Sequence, residues 1–242
     1  NPNLSDAEVN EYGTAPQARG FQIQDNNAAI NTNTSTYIYI AIRRPMKAPA
    51  AGTEVFALDS RGSTGDGVAP AYRSGWPVDM LFVKGNIGTT GDFLLGSRLM
   101  GAFSLPTNTT AAQGATGDYK YDYMNGAATP VNTDANEISW MFRRASKFMD
   151  IVCYAGNTVS GHTIDHNLGV VPEMMITKTR TMGFTRGWAV YHKDVYPSGD
   201  MSLMLNTDQA ETAEGVFYPT TPTATSYTLG IDANVNNAAN TY

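Results

Sequence analysis

The residues of this chain with the chemistry for catalysis or metal binding are three histidines, one cysteine and a scatter of carboxylates. His162 and His166 stand four apart. On a helix that spacing puts two ligands on one face, as a zinc site requires. The neighbours Gly161, Thr163 and Ile164, followed by Asn167-Leu168-Gly169, read instead as a strand running into a tight turn. On a strand the two rings share a face but stand ~13 Å apart, too far to hold one zinc ion. A structural role is expected, with His166 bonding backbone at the turn. His192 is isolated, with no third ligand in view.

Ser160, His162 and Asp165 supply the side chains of a nucleophilic triad. A serine nucleophile also needs a preset elbow and oxyanion donors, and Gly-x-Ser-x-Gly does not occur. Asp59 to Gly67 resembles a calcium loop in its Asp and Gly content, but Arg61 falls where an oxygen ligand belongs, so a solvated hairpin loop is expected. Tyr119, Tyr121 and Tyr123 alternate along one stretch. Such rings can stack on sugars or pair across a sheet, and packing is the favoured reading. Cys153 is expected to be a small buried apolar side chain. Sequons at Asn33 and Asn108 are commonplace in an Asn- and Thr-rich chain. No catalytic, cofactor-binding or metal-ligating residue is assigned, and the ligand-binding residues stay open.

The elements that must position these residues are short strands. Charged residues reach only 16%, against roughly 25% in ordinary soluble domains. Asn, Thr, Ser and Gly take their place, which suits turns and strands over solvated helix faces. A net charge of −6 argues against a phosphate-backbone binder. The basic doublets Arg43-Arg44 and Arg143-Arg144 each follow an apolar stretch and read as solvated strand ends. One cysteine excludes an intrachain disulfide. No apolar run is long enough to span a membrane as a helix, and no signal peptide is visible.

Ser5–Tyr12 reads as a short capped helix. Thr36–Arg44 alternates as a strand, with Ile38, Ile40 and Ile42 on one side. Glu137–Arg144 does the same, with Ile138, Trp140 and Phe142 sharing a face. Further strands are predicted at Val55–Leu58, Met80–Lys84, Phe93–Leu95, Tyr119–Met124, Ile151–Tyr154 and Met174–Lys178. Others fall at Trp188–His192, Ser202–Leu205 and Tyr227–Ile231.

The pattern repeats at a period of about 100 residues. Pro172–Lys178 resembles Val78–Lys84, Ile151–Tyr154 resembles Val55–Leu58, and Glu137–Arg144 resembles Tyr37–Arg44. The last match keeps the side-chain faces, which a one-residue slip would swap. Ala239–Tyr242 matches Thr34–Tyr37, just before the apolar alternation. The expected organisation is the end of a preceding module over 1–45, a β module over 46–144, and a second over 145–242 whose closing strand is missing. The chain reads as a window on a longer protein.

The tracts Phe148–Gly156, His162–Lys178 and Trp188–His192, with Tyr37–Pro45, Trp140–Ala145 and Thr221–Gly230, resemble the repeated module of virion structural proteins of tailed bacteriophages, marine and cyanobacterial types above all. The resemblance covers nearly the whole chain. It implies a non-enzymatic role in a tail fibre, appendage or capsid-associated protein, and supplies no catalytic residues. The first module departs from the pattern, with Arg73-Ser-Gly-Trp-Pro77 in place of the His-Asn-Leu-Gly tract.

The expected fold is therefore all-β, as tandem antiparallel β-sandwich or jelly-roll-like modules. The expected partners are other copies of the chain and other virion proteins, without nucleic acid or membrane insertion, and the expected place is the virion. A lectin-like module that binds host-surface glycan is the first rival. A polysaccharide hydrolase is the second. It would need two carboxylates about 5–10 Å apart across a cleft, and Asp79 and Glu173, equivalent positions in separate modules, make a poor pair.

Overall fold

The computed structural model describes residues 14–17, 20–23, 48–61, 70–85, 92–115, 119–129, 137–181, 185–195, 201–208, 210, 212–213 and 217–242. It divides into two units, Asn1–Pro45 and Met46–Tyr242. In the first, β1 (Thr14–Gln17) pairs antiparallel with β2 (Gly20–Ile23). The helix predicted over Ser5–Tyr12, the strand over Thr36–Arg44 and the sequon at Asn33 lie outside the described residues. So does most of the loop from Asp59 to Gly67.

The second unit is all-β and sandwich-like. Among the described residues its one helix is a single 3-10 turn, Gly52–Glu54. None is long and apolar enough to cross a membrane. The first half contains β3 (Phe56–Ser60), β4 (Tyr72–Arg73), β5 (Met80–Lys84), β6 (Phe93–Ser97), β7 (Phe103–Pro106), β8 (Gly114–Ala115), β9 (Gly126–Ala127) and β10 (Ile138–Phe142). Six of them form one antiparallel sheet in the order β3-β10-β5-β6-β7-β8, and β4 pairs with β9.

Alternation builds this sheet. In β5 and β10 every second side chain is buried: Leu81 and Val83 in one, Ser139 and Met141 in the other. They meet Tyr72, Trp76, Val78, Tyr119, Tyr121 and Ala127, which come from the β4–β9 pair and the segments around it. That second layer makes the sandwich. Tyr119 and Tyr121 approach so closely that a Cβ on Gly96 would lie 2.5 Å from the Tyr121 hydroxyl and 3.0 Å from the Tyr119 ring. Only a residue without a side chain fits there.

The second half contains β11 (His162–Asp165), β12 (Met174–Thr177), β13 (Ala189–His192), β14 (Met201–Met204), β15 (Thr212–Ala213) and β16 (Ser226–Leu229). Its pairing follows the first half step for step. The meander β12-β13-β14-β15 stands for β5-β6-β7-β8, and the pair β11–β16 stands for β4–β9. Where β3 meets β10, the second half has Tyr154 and Tyr242 exchanging backbone hydrogen bonds at 3.3 and 2.9 Å, with Ala155 bridged to Thr241. Ile164, Ala189, Tyr191, Phe217, Tyr218, Leu229 and Val235 form its core.

Two predicted strands are not formed. Tyr119–Met124 holds a lone bridge at Lys120, and Ile151–Tyr154 has no strand ladder. In both places side chains pack on a core, while among the described residues the backbone there makes only isolated bridges.

Candidate interaction surface

Alternation that buries one side of the six-stranded sheet turns the other side outward, and that side is apolar. β3 presents Phe56 and Leu58, β10 presents Ile138, Trp140 and Phe142, β5 presents Met80 and Phe82, and β6 presents Phe93 and Leu95. Register sets them in rows. Phe142 lies between Phe56 and Met80, and Trp140 lies between Leu58 and Phe82. Leu95 faces Phe82 from the next strand. The rings touch: Phe56 to Phe142 at 5.1 Å, Phe82 to Phe93 at 5.4 Å, Phe93 to Trp140 at 5.2 Å. Each ring shields its neighbours, so most are half-buried, while Phe56 stays 39% and Leu58 54% exposed. The face shared by Ile138, Trp140 and Phe142, read from the alternation, is therefore the outer one. The matching positions on β12, Met174 and Ile176, are also exposed.

At one end this surface is already covered. Trp188, just before β13, is buried against Met100 and Leu105, with Leu95 and Phe103 packed around them. Its indole N–H donates to the Pro106 carbonyl at 3.1 Å. Lys178 donates its ammonium to the carbonyls of Thr110 (3.0 Å) and Arg186 (2.7 Å) and lies 5.9 Å over the Trp188 ring. Burial pulls its pKa down to about 8. Arg180 donates to the Gln113 side chain at 2.9 Å, and Gln113 N to the Arg180 carbonyl at 3.3 Å. The loop after β7 is thus clamped by the hairpin end that joins β12 to β13.

The residues singled out from sequence fall elsewhere. His166 is buried at a turn; Nε2 lies 3.2 Å from the Thr223 carbonyl, and Nδ1 accepts from Leu168 N at 3.2 Å. His162 Nδ1 faces Asn236 Oδ1 at 3.3 Å. Asn236 is fully buried and also accepts from Asn157 N and donates to the carbonyls of Val159 and Gly230. Asp165 is on the same strand as His162, three residues on, and so points to the opposite side. Ser160, His162 and Asp165 are not brought together. His192 lies near Asp194 at 4.0 Å. Among the described residues no three His, Cys, Asp or Glu side chains gather where they would hold a metal ion.

Tyr119 and Tyr121 are buried in the first core, as the packing reading expects. Burial, together with the nearby Tyr119, pushes the Tyr121 hydroxyl well above its ordinary pKa. Cys153 is half-buried rather than buried, and its sulfur accepts from Arg180 at 3.4 Å. A guanidinium alongside needs a rim position, not a core one. Asn108 is exposed and donates to Asp92 at 3.2 Å.

Sequence reasoning missed Glu137. It is buried, and it accepts from the Tyr72 hydroxyl and, at 2.9 Å, from Thr129. Arg61 stands 3.7 Å away. Burial raises its pKa, and Arg61 partly offsets that. Its place at the head of an alternating strand was the available signal.

Residues 101–242 match a family described as a domain of unknown function, DUF7483. The chain belongs to the DUF7483 family. The DUF7483 match begins just before β7 and runs through Tyr242, so it includes Trp188 with Phe103, Leu105 and Pro106, but not Leu95 or Met100, on the side that receives it. Comparison with curated proteins and with solved structures returns no match.

Proposed function

We propose that this chain is a non-enzymatic structural part of a bacteriophage virion, built into a tail fibre, an appendage or another assembly of the particle. Its resemblance to repeated virion modules over the tracts quoted above supports the reading. One physical observation carries it: a row of Phe, Trp, Leu and Met side chains faces outward beside a clamp that already joins the two halves of the second unit. An apolar sheet face that stays wet costs free energy, and covering it on assembly recovers that cost. A charged fraction of 16% helps, because few charges lose their water when copies pack together. Its partners are then further copies of itself and other virion proteins, and its place is the particle, after assembly in the host cytoplasm.

Quantitative mass spectrometry of purified particles tests this. The chain is expected at a fixed, stoichiometric copy number, and its absence from intact particles would overturn the reading. A glycan-binding role draws on the same aromatic face, since rings stack on sugars. The face favours protein contact: its exposed members are Phe56 and Leu58 rather than Tyr with carboxylates, and Tyr119 and Tyr121 point inward. Saturable binding on a glycan array, lost in Trp140→Ala, would reverse that choice.

A further inference from the structure

The hairpin end that carries Trp188 has a counterpart in the first half of the unit. In the β12–β13 ladder Met174 faces His192 and Thr177 faces Ala189, so Lys178 and Trp188 are the next facing pair. In the β5–β6 ladder Met80 faces Ser97, and the last pair is Lys84 facing Phe93. Step for step, Lys84 stands where Lys178 does and Phe93 where Trp188 does.

The receiving side recurs as well. Thr107 N donates to the Phe93 carbonyl at 2.8 Å, and Leu205 N donates to the Trp188 carbonyl at 3.0 Å. Leu205 therefore occupies the place of Thr107, and Leu203 and Met204 the places of Leu105 and Pro106. Leu105 and Pro106 are what Trp188 sits on. Two of the counterparts are less covered: Leu203 is half-buried where Leu105 is buried, and Leu205 is 48% exposed where Thr107 is buried, while Met204 packs on the second core. Phe93 is half-buried at the edge of the aromatic face.

We infer that copies of this chain associate head to tail by repeating the internal clamp, with the Phe93 end of one copy seated on Leu203–Leu205 of the next. The inference rests on the assembly role proposed above and gives it a surface and a geometry. The contact continues an interface that the chain already makes within itself. It joins two different patches, so it does not saturate as a two-fold dimer and adds copies beyond the second, as a row or, where the rotation between copies closes, as a ring. Phe93 lacks the indole N–H that Trp188 gives to Pro106, so the contact between copies is weaker than the internal one.

Sedimentation velocity of the full chain over a concentration series tests it. The average mass is expected to grow past two copies as concentration rises. Leu205→Asp and Phe93→Asp should each stop growth at the monomer. An equal mixture of those two variants retains one good patch on each partner and should form pairs and nothing larger. Phe93→Trp should lower the concentration for half-assembly roughly three- to tenfold. A chain that stays monomeric, that closes at two copies, or that assembles unchanged with Leu205→Asp overturns the inference. If Phe93→Asp loses its cooperative melt, Leu205→Asp at its exposed position decides alone. A monomeric chain that is nonetheless stoichiometric in particles would remove this contact and leave the virion role standing. A chain that assembles this way but is missing from particles would do the opposite.

Discussion

Arg144 and Asp150 are paired across the join between the two halves of the second unit, with guanidinium nitrogens 2.6 and 2.5 Å from Asp150 Oδ1. The Asp150 side chain is 4% exposed, and it also accepts from Ile151 N at 3.0 Å and Asn167 N at 2.7 Å. Removing it leaves a half-buried guanidinium and two backbone donors without their acceptor. Asp150→Ala is expected to cost about 3–5 kcal/mol of unfolding free energy, read as a lowered urea midpoint. A loss below about 1 kcal/mol would mean that the pair is solvated like a surface one.

Lys178 gives a pH signature in the alkaline range. Its folded pKa of about 8 lies below the ordinary 10.5, because burial disfavours the ammonium. Between those values the unfolded chain holds a proton that the folded chain has released, so raising the pH favours folding. The stability of the wild type relative to Lys178→Met should therefore climb from pH 8 to 10.5. Urea midpoints of both chains at four pH values would show it, and a constant difference would refute it.

Glu137 gives the reverse slope at the acid end. Its folded pKa is raised, chiefly by burial, so the folded chain keeps its proton at pH values where the unfolded chain has lost it. That contribution is complete below the unfolded carboxylate range and is lost as the pH rises through the folded value. Glu137→Gln cannot ionise. Its stability relative to the wild type should rise as the pH is taken from strongly acid to neutral, followed by thermal melts. A flat difference would place the carboxyl in water.

Gly96→Ala tests how tightly the two layers meet. The new methyl would press on the Tyr121 hydroxyl and the Tyr119 ring. Overpacking of this kind typically costs about 1–3 kcal/mol, and Tyr121→Phe in the same chain should return part of it by removing the crowding oxygen. Equal losses in both backgrounds would point to backbone strain instead.

Much of this architecture is visible in the residue pattern. Met80–Lys84 is a strand at the predicted bounds, a run of four apolar residues closed by a lysine, and its burial alternates in the fold. The similarity of Pro172–Lys178 to Val78–Lys84 reflects two strands with the same place in two meanders. The strand at Tyr72–Arg73 is only two residues long and carries no period to detect. Which face turns inward was harder to read. In β10 the large apolar residues Ile138, Trp140 and Phe142 point out, while Ser139 and Met141 point in. The bulk that fills the core comes from Tyr72, Tyr119 and Tyr121 on the opposite layer, so β10 needs slender side chains there. Hydrophobicity alone ranks those faces in the wrong order. For the same reason the surface that matters most to the proposed role was read only as a strand pattern. The three histidines drew attention by their chemistry, and His162 and His166 serve to tie down turns.

The make-up of the outward face also sets how any contact through it responds to its surroundings. Phe56, Leu58, Phe82, Trp140 and Phe142 bring no formal charge to it. Attraction there comes from releasing ordered water, which has a large heat-capacity signature and almost no Coulomb component. Such a joint tolerates concentrated brine, tightens on gentle warming and loosens in the cold.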